Sequence, residues 1–194
     1  MNDQRFSVCV YCGSRPGVAP AYADAAAEVG RLIGAAGGRL VYGGGRSGLM
    51  GVVADATLAA GGEVVGIIPR SLMDREHGHT GLTELHVVET MHERKQMMAE
   101  RADAFLTLPG GIGTFEELFE TWTWLQLGYH AKPVGLLDVA GYYGPLRQML
   151  AHTVQQGFFS PAQHDTLLVD DSAARLLQRL RAACGDGGED YSRI

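Results

Sequence analysis

Short runs of β-branched and aliphatic residues alternate along this chain with longer amphipathic blocks, and that alternation leaves few architectures open. Residues 6–12, 39–42, 63–68, 85–89, 104–108, 134–138 and 167–169 read as strands. Residues 21–36, 49–60, 92–102, 114–127, 143–156 and 172–183 read as helices. Strands separated by helices pair in parallel, with helices packed over the sheet. The strand runs are continuously apolar, as burial of both sheet faces requires. The expected fold class is therefore α/β, a doubly wound, mostly parallel sheet of about seven strands with helices on both faces. The pairs Gly37-Gly38 and Gly61-Gly62, and Gly157, follow helix blocks and read as C-terminal stops. No repeat or linker divides the chain, so residues 1–184 are expected to form one domain, and the polar, Gly-rich residues 185–194 to fray.

Glycine supplies 27 of the 194 residues, about double its usual share of roughly 7%. The glycines lack a period of three and proline numbers only 7, which excludes a collagen-like chain. Their positions carry more information than their number. The first strand runs into Cys12-Gly13-Ser14-Arg15, the second into Gly43-Gly44-Gly45-Arg46-Ser47-Gly48, and the fifth into Pro109-Gly110-Gly111-Ile112-Gly113-Thr114. Nine glycines (13, 43, 44, 45, 48, 51, 110, 111 and 113) thus fall at strand ends or at the helix starts that follow. Ligands of doubly wound sheets bind outside these carboxyl ends. A helix N-terminus with bare N–H groups receives phosphate there. The pattern points to a phosphate cradle, beside the plainer reading that each glycine only makes a tight turn.

Charge and thiols narrow the function classes. Sixteen Lys and Arg against 22 Asp and Glu give a net charge of −6, without the basic footprint of a nucleic-acid binder. The apolar start, residues 6–12, is too short to span a membrane. The chain is expected to be cytoplasmic and to contact neither nucleic acid nor membrane. Cys9 and Cys12 have C-x-x-C spacing, but within a strand they stand about 10 Å apart on opposite faces. That exceeds disulfide reach, so both read as core residues.

Other motifs are sorted by context. Gly43-x-Gly45-x-x-Gly48 matches a dinucleotide fingerprint, yet it follows the second strand, and Pro69-Arg70 stands where an acid would hold the NAD ribose. NADP, with Arg70 on its extra phosphate, is the surviving form of that reading. No P-loop and no G-x-S-x-G elbow occurs. The seven histidines form no ligand set, so no metal is expected; His77-Gly78-His79 reads as a polar, mobile loop. Met97-Met98 reads as core or pocket filling.

Two helices carry candidate chemistry. In the helix after the fifth strand, Phe115, Leu118, Phe119, Trp122 and Leu125 make one apolar stripe, with Glu117 on the opposite side. Trp124, Leu127 and Tyr129 add apolar surface elsewhere, which hints at a subunit interface. Glu117 is either a carboxylate favoured by the helix dipole or a catalytic group. The segment Met91-His92-Glu93-Arg94-Lys95 places two cations in a first helical turn, against the dipole. An anionic ligand or a facing carboxylate would relieve that conflict.

Together these residues make the chain resemble the Lonely Guy (LOG) family of cytokinin-activating phosphoribohydrolases over nearly its whole length. The resemblance is carried by Pro109-Gly-Gly-Ile-Gly-Thr-Phe-Glu-Glu117, by Met91-His-Glu-Arg-Lys95, and by Tyr42-Gly-Gly-Gly45 with Gly48-Leu-Met-Gly51. It implies a Rossmann-like homodimer that cleaves the N-glycosidic bond of a nucleoside 5′-monophosphate. The implied substrate is an N6-modified AMP, or AMP itself, and no cofactor is implied. Carried over by position, Arg94 and Glu117 are the catalytic pair. Ser14, Gly43, Gly44, Gly45, Lys95, Gly110, Gly111, Gly113 and Thr114 bind phosphate or nucleotide, and Met91 and Met98 line the base pocket. Relatives also carry a lysine decarboxylase label. Of the chain's two lysines, Lys95 and Lys132, the latter stands at the wrong end of its strand for a pyridoxal Schiff base. A non-catalytic nucleotide or cofactor carrier is the stronger rival, because glycine loops serve binding equally well.

Overall fold

The computed structural model describes residues 5–74, 77–185 and 191. The first half of the fold comprises β1 (Ser7–Tyr11), α1 (Pro20–Ala35), β2 (Arg39–Tyr42), α2 (Gly48–Ala59), β3 (Glu63–Pro69) and β4 (Glu84–Val88). It continues through α3 (Met91–Glu100), β5 (Ala104–Thr107), α4 (Ile112–Leu127), β6 (Val134–Leu137), α5 (Gly144–Gln155), α6 (Pro161–His164), β7 (Leu167–Asp170) and α7 (Ala173–Ala183). All six strand pairings are parallel, in the order β4-β3-β2-β1-β5-β6-β7. This is the α/β sheet anticipated from the alternation of blocks, and it is Rossmann-like, as the resemblance implies. Among the described residues, no helix is long and apolar enough to cross a membrane.

The order fixes where a ligand can sit. From β1 the chain steps outward through β2 and β3 to β4, then returns to lay β5 against the other side of β1. The loops leaving β1 and β5 therefore diverge, and a crevice opens between them at the carboxyl ends. Cys12-Gly13-Ser14 leaves from one side of that crevice and Pro109-Gly110-Gly111 from the other.

Each sheet face has its own core. Val8, Val10 and Cys12 join residues of α1, α2 and α7 on one face. Cys9 and Tyr11 join α3, α4 and α5 on the other. Cys9 and Cys12 are thus both buried and unbridged, in separate cores, as strand periodicity requires.

Two sequence expectations change. Trp124 does not face a partner: it is buried in this chain's own core, edge-on to Tyr191 at 6.3 Å. Leu127 is exposed as expected, and the other exposed large apolar residues of α4 are Ile112 and Phe119. The loop holding His77 and His79 is tied down. Gly78 pairs with Gly45 in an antiparallel bridge, the Arg46 N–H donates to the His77 carbonyl, and the His79 N–H to that of Gly44. His79 is buried, and its Nδ1 accepts from the Gly81 N–H, so Nε2 carries the proton donated to Asp55 at 2.8 Å. Of the tail expected to fray, residues 186–190 and 192–194 lie outside the described residues, whereas Tyr191 is buried.

Candidate active site

The β1/β5 crevice holds a cavity of about 550 Å³, within the size range of small-molecule sites. Its floor is the start of α4. Gly111 is the N-cap in extended conformation, and Ile112, Gly113 and Thr114 form the first turn. Their N–H groups precede the first intrahelical hydrogen bond, from the Phe115 N–H to the Gly111 carbonyl. The glycines here have different reasons. A Cβ on Gly110 would lie 2.1 Å from the Thr114 Oγ1, so packing alone forbids a side chain. A Cβ on Gly111 or Gly113 would meet no protein atom within 4 Å. Neither has a positive φ, so bareness at these two positions leaves room for something outside the protein.

One wall is α3. Thr90 caps it through a full capping box with Glu93, which satisfies the first N–H groups and sets an acid in the first turn. Arg94 is only 4% exposed. Its Nε donates to the Ile67 carbonyl at 3.1 Å and its Nη2 to the Gly43 carbonyl at 2.9 Å. The guanidinium thus lies across the carboxyl ends of β3 and β2, its charge held by backbone dipoles. Gly43 exists for this side chain: a Cβ there would stand 2.0 Å from the Arg94 Nη2.

Arg94 and Glu117 line the same cavity, from α3 and α4 respectively. The Glu117 charge is felt through the β1 layer. Burial first, then the Glu117 carboxylate, pushes the Cys9 thiol well above its usual range and keeps it protonated. Of the residues anticipated from sequence, Ser14, Met91, Arg94, Gly110, Gly111, Gly113, Thr114 and Glu117 all line the cavity.

Gly43, Gly44, Gly45, Lys95 and Met98 do not. Gly44 turns with φ +76° against Ile67 and Ile68, and Gly45 pairs with Gly78, so this loop supports the site from behind. Lys95 points to α4, with Nζ 2.8 Å from both Glu116 and Glu120. Facing carboxylates therefore resolve its conflict with the dipole. Met98 is buried in the core under α3. Among the lining residues that the sequence reading did not assign to the site are Arg15, Tyr22 and Tyr142. Arg15 directly follows Ser14 and could have been found there. The two tyrosines come from α1 and from the turn after β6, with no local signature.

Comparison with known proteins adds the family. Residues 50–180 match the family model described as "Possible lysine decarboxylase". A cytokinin riboside 5′-monophosphate phosphoribohydrolase of Rhodococcoides fascians is 51% identical over 84% of this chain and 83% of its own length. An Arabidopsis thaliana enzyme of the same name, LOG1, is 46% identical over 89% of this chain and 81% of its own. The chain belongs to the LOG family. Among solved structures, a molybdenum cofactor carrier protein of Chlamydomonas reinhardtii superposes with TM-score 0.69 over 93% of this chain and 98% of its own, at 19% identity. A molybdenum cofactor binding protein of Rippkaea orientalis gives TM-score 0.68, with the same coverage of both chains and the same identity. These two likenesses concern the fold alone. For this LOG-family chain the decarboxylase description does not fit the cavity, because neither lysine lines it. Lys132 donates to the Ala99 carbonyl at 2.6 Å, at the amino end of β6. Among the described residues, no group of acidic, His and Cys side chains could hold a metal.

Proposed function

We propose that this chain hydrolyses the N-glycosidic bond of a cytokinin riboside 5′-monophosphate, an N6-modified AMP or AMP itself, to free base and ribose 5-phosphate. One observation carries the reading: a buried arginine and a carboxylate, Arg94 and Glu117, share a cavity with a bare helix N-terminus. A phosphate carrier needs the helix start but not that pair.

In this reading the 5′-phosphate rests on the N–H groups of Gly111, Gly113 and Thr114, with Ser14 beside it. Remote binding of this kind orients the reacting bond. Glu117 faces the ribose. As the bond to the base breaks, positive charge builds on the sugar ring, and a carboxylate there stabilises it or activates the attacking water. Arg94 stays charged throughout and steers both Glu117 and the nucleotide. Met91, at the cavity mouth, contacts the base. Gly43–Gly45, Lys95 and Met98 act from behind the wall, by placing Arg94 and bracing α3. A second copy of this chain covers Ile112, Phe119 and Leu127, which share one side of α4 and are 84%, 36% and 56% exposed.

The decisive experiment incubates the protein with AMP, isopentenyl-AMP and the matching nucleosides and assays free base. Release from the monophosphates and not the nucleosides is expected. Equal rates on both would sink the phosphate cradle, and nucleotide binding without release would favour a carrier. Glu117→Gln should lower release by at least 10²-fold while AMP still binds. Near-normal turnover by this variant would remove Glu117 from the chemistry. Sedimentation at micromolar concentration tests the dimer.

A further inference from the structure

The phosphate-binding loop is made of the residue types least able to hold one conformation. Gly110-Gly111 joins two residues without Cβ atoms, and the peptide between them can rotate at little cost. Its orientation matters, because a carbonyl turned toward a phosphate repels it. In this fold, three successive carbonyls at the loop each accept from a named donor. The Leu108 carbonyl takes the Tyr143 hydroxyl at 2.7 Å, the Pro109 carbonyl takes the Gly13 N–H at 3.1 Å, and the Gly110 carbonyl takes the Tyr142 hydroxyl at 2.5 Å.

The two tyrosines reach the loop from an irregular turn. Between β6 and α5 the chain passes through two consecutive left-handed residues, Ala140 (φ 51°) and Gly141 (φ 71°). A non-glycine residue there is strained. Asp138 holds the turn by accepting from the Tyr143 N–H at 2.8 Å and from Arg147 at 3.1 Å. Tyr142 is then wedged edge-on between Tyr143 and Tyr22, at 4.9 and 5.7 Å between ring centres. Its ring lines the cavity, whereas that of Tyr143 does not.

We infer that Tyr142 is a positioning residue for anion binding: its hydroxyl latches the Gly110–Gly111 peptide so that no free carbonyl faces the phosphate. In a trans peptide the N–H and C=O are antiparallel, so the same bond fixes the direction of the Gly111 N–H. Tyr143 performs a different task, anchoring the chain just past β5, two residues earlier. The inference rests on the proposed phosphate cradle, and its test does not depend on turnover.

The test compares Tyr142→Phe and Tyr143→Phe with the unaltered protein, using calorimetry of ribose 5-phosphate and of adenine, alongside melting curves. Tyr142→Phe should weaken ribose 5-phosphate binding roughly tenfold, leave adenine binding unchanged, and melt close to the parent. Where base release is measurable, its KM for the monophosphate should rise by the same factor while kcat changes less. Tyr143→Phe should melt lower, with ribose 5-phosphate affinity falling by less than in Tyr142→Phe. Equal affinity of parent and Tyr142→Phe for ribose 5-phosphate would overturn the latch. So would a parallel loss of both ligands, or losses in the two variants that simply follow their melting temperatures. A parent protein that binds ribose 5-phosphate without releasing base would contradict the hydrolase reading and leave the latch standing or falling on the binding data.

Discussion

Gly43 and Gly111 each follow a strand that points at the same cavity, yet the space around them differs. A methyl group on Gly43 would occupy the place of the Arg94 Nη2, 2.0 Å away. The guanidinium would have to leave the carbonyls of Ile67 and Gly43, stranding buried polar groups at a cost of about 1–3 kcal/mol. Gly43→Ala should therefore lower both the melting temperature and base release. A methyl group on Gly111 would meet nothing within 4 Å, so the folded protein tolerates it. Gly111→Ala should keep its stability within about 0.5 kcal/mol while KM for the monophosphate rises about tenfold, the effect of one lost charge-assisted contact. Melting curves and initial rates on the same two preparations check both halves. A parent-like KM for Gly111→Ala would remove the phosphate from this position.

At the scale of elements, glycine spacing also sets how α1 meets α2. Gly30 and Gly34 lie one turn apart on α1, and a Cβ on Gly30 would come 2.4 Å from the Val53 carbonyl of α2. Helix propensity alone says that alanine at position 30 should stabilise by about 1 kcal/mol. Packing says the opposite, since a backbone carbonyl cannot swing away as a side chain can. Gly30→Ala should destabilise by about 1–3 kcal/mol in chemical denaturation; stabilisation would mean that the helices separate at little cost. This pair marks a limit of reading the sequence. Glycine within a helix block reads as a weakness unless the neighbouring helix is known. The strands were legible because most are apolar runs, β4 with His86 in its middle being the exception: the expected and observed limits of β3 differ only at Pro69, and those of β2 coincide. The four-residue α6 was not legible, although Ser160-Pro161-Ala162-Gln163 is a capping box in sequence and in structure. Arg94 stood out by breaking the dipole rule. Tyr142 broke no rule, and only the fold brings it to Gly110.

Across the whole molecule, acid should find a weak point outside the cavity lining. His130 is 2% exposed, packed against the rings of Phe105 and Tyr191. Its Nε2 donates to the Thr121 carbonyl at 3.0 Å, and its Nδ1 accepts the Lys132 N–H at 3.1 Å, an arrangement open only to the neutral ring. Burial above all, with some help from the Lys132 charge, lowers its pKa from 6.5 to about 4. Below pH 6.5 the unfolded chain takes up a proton that the folded chain refuses. Stability from this residue is thus complete above pH 6.5 and is lost as pH falls toward 4, up to about 3 kcal/mol. The carboxylates act lower. Hydrogen bonding to the Ser172 N–H, then the Arg175 side chain, holds Asp170 near 2, below its usual 3.8, so its contribution disappears only as pH falls through that interval. Glu63 is lowered chiefly by Arg39, and Glu84 by His86, both from 4.5. Urea denaturation between pH 7.5 and 4.5 therefore separates His130 from these three carboxylates. His130→Gln keeps a donor and an acceptor without a titrating ring, and should flatten the slope over that interval even where its stability at pH 7.5 is lower. A slope equal to the parent's would show that the acid sensitivity arises elsewhere in the fold.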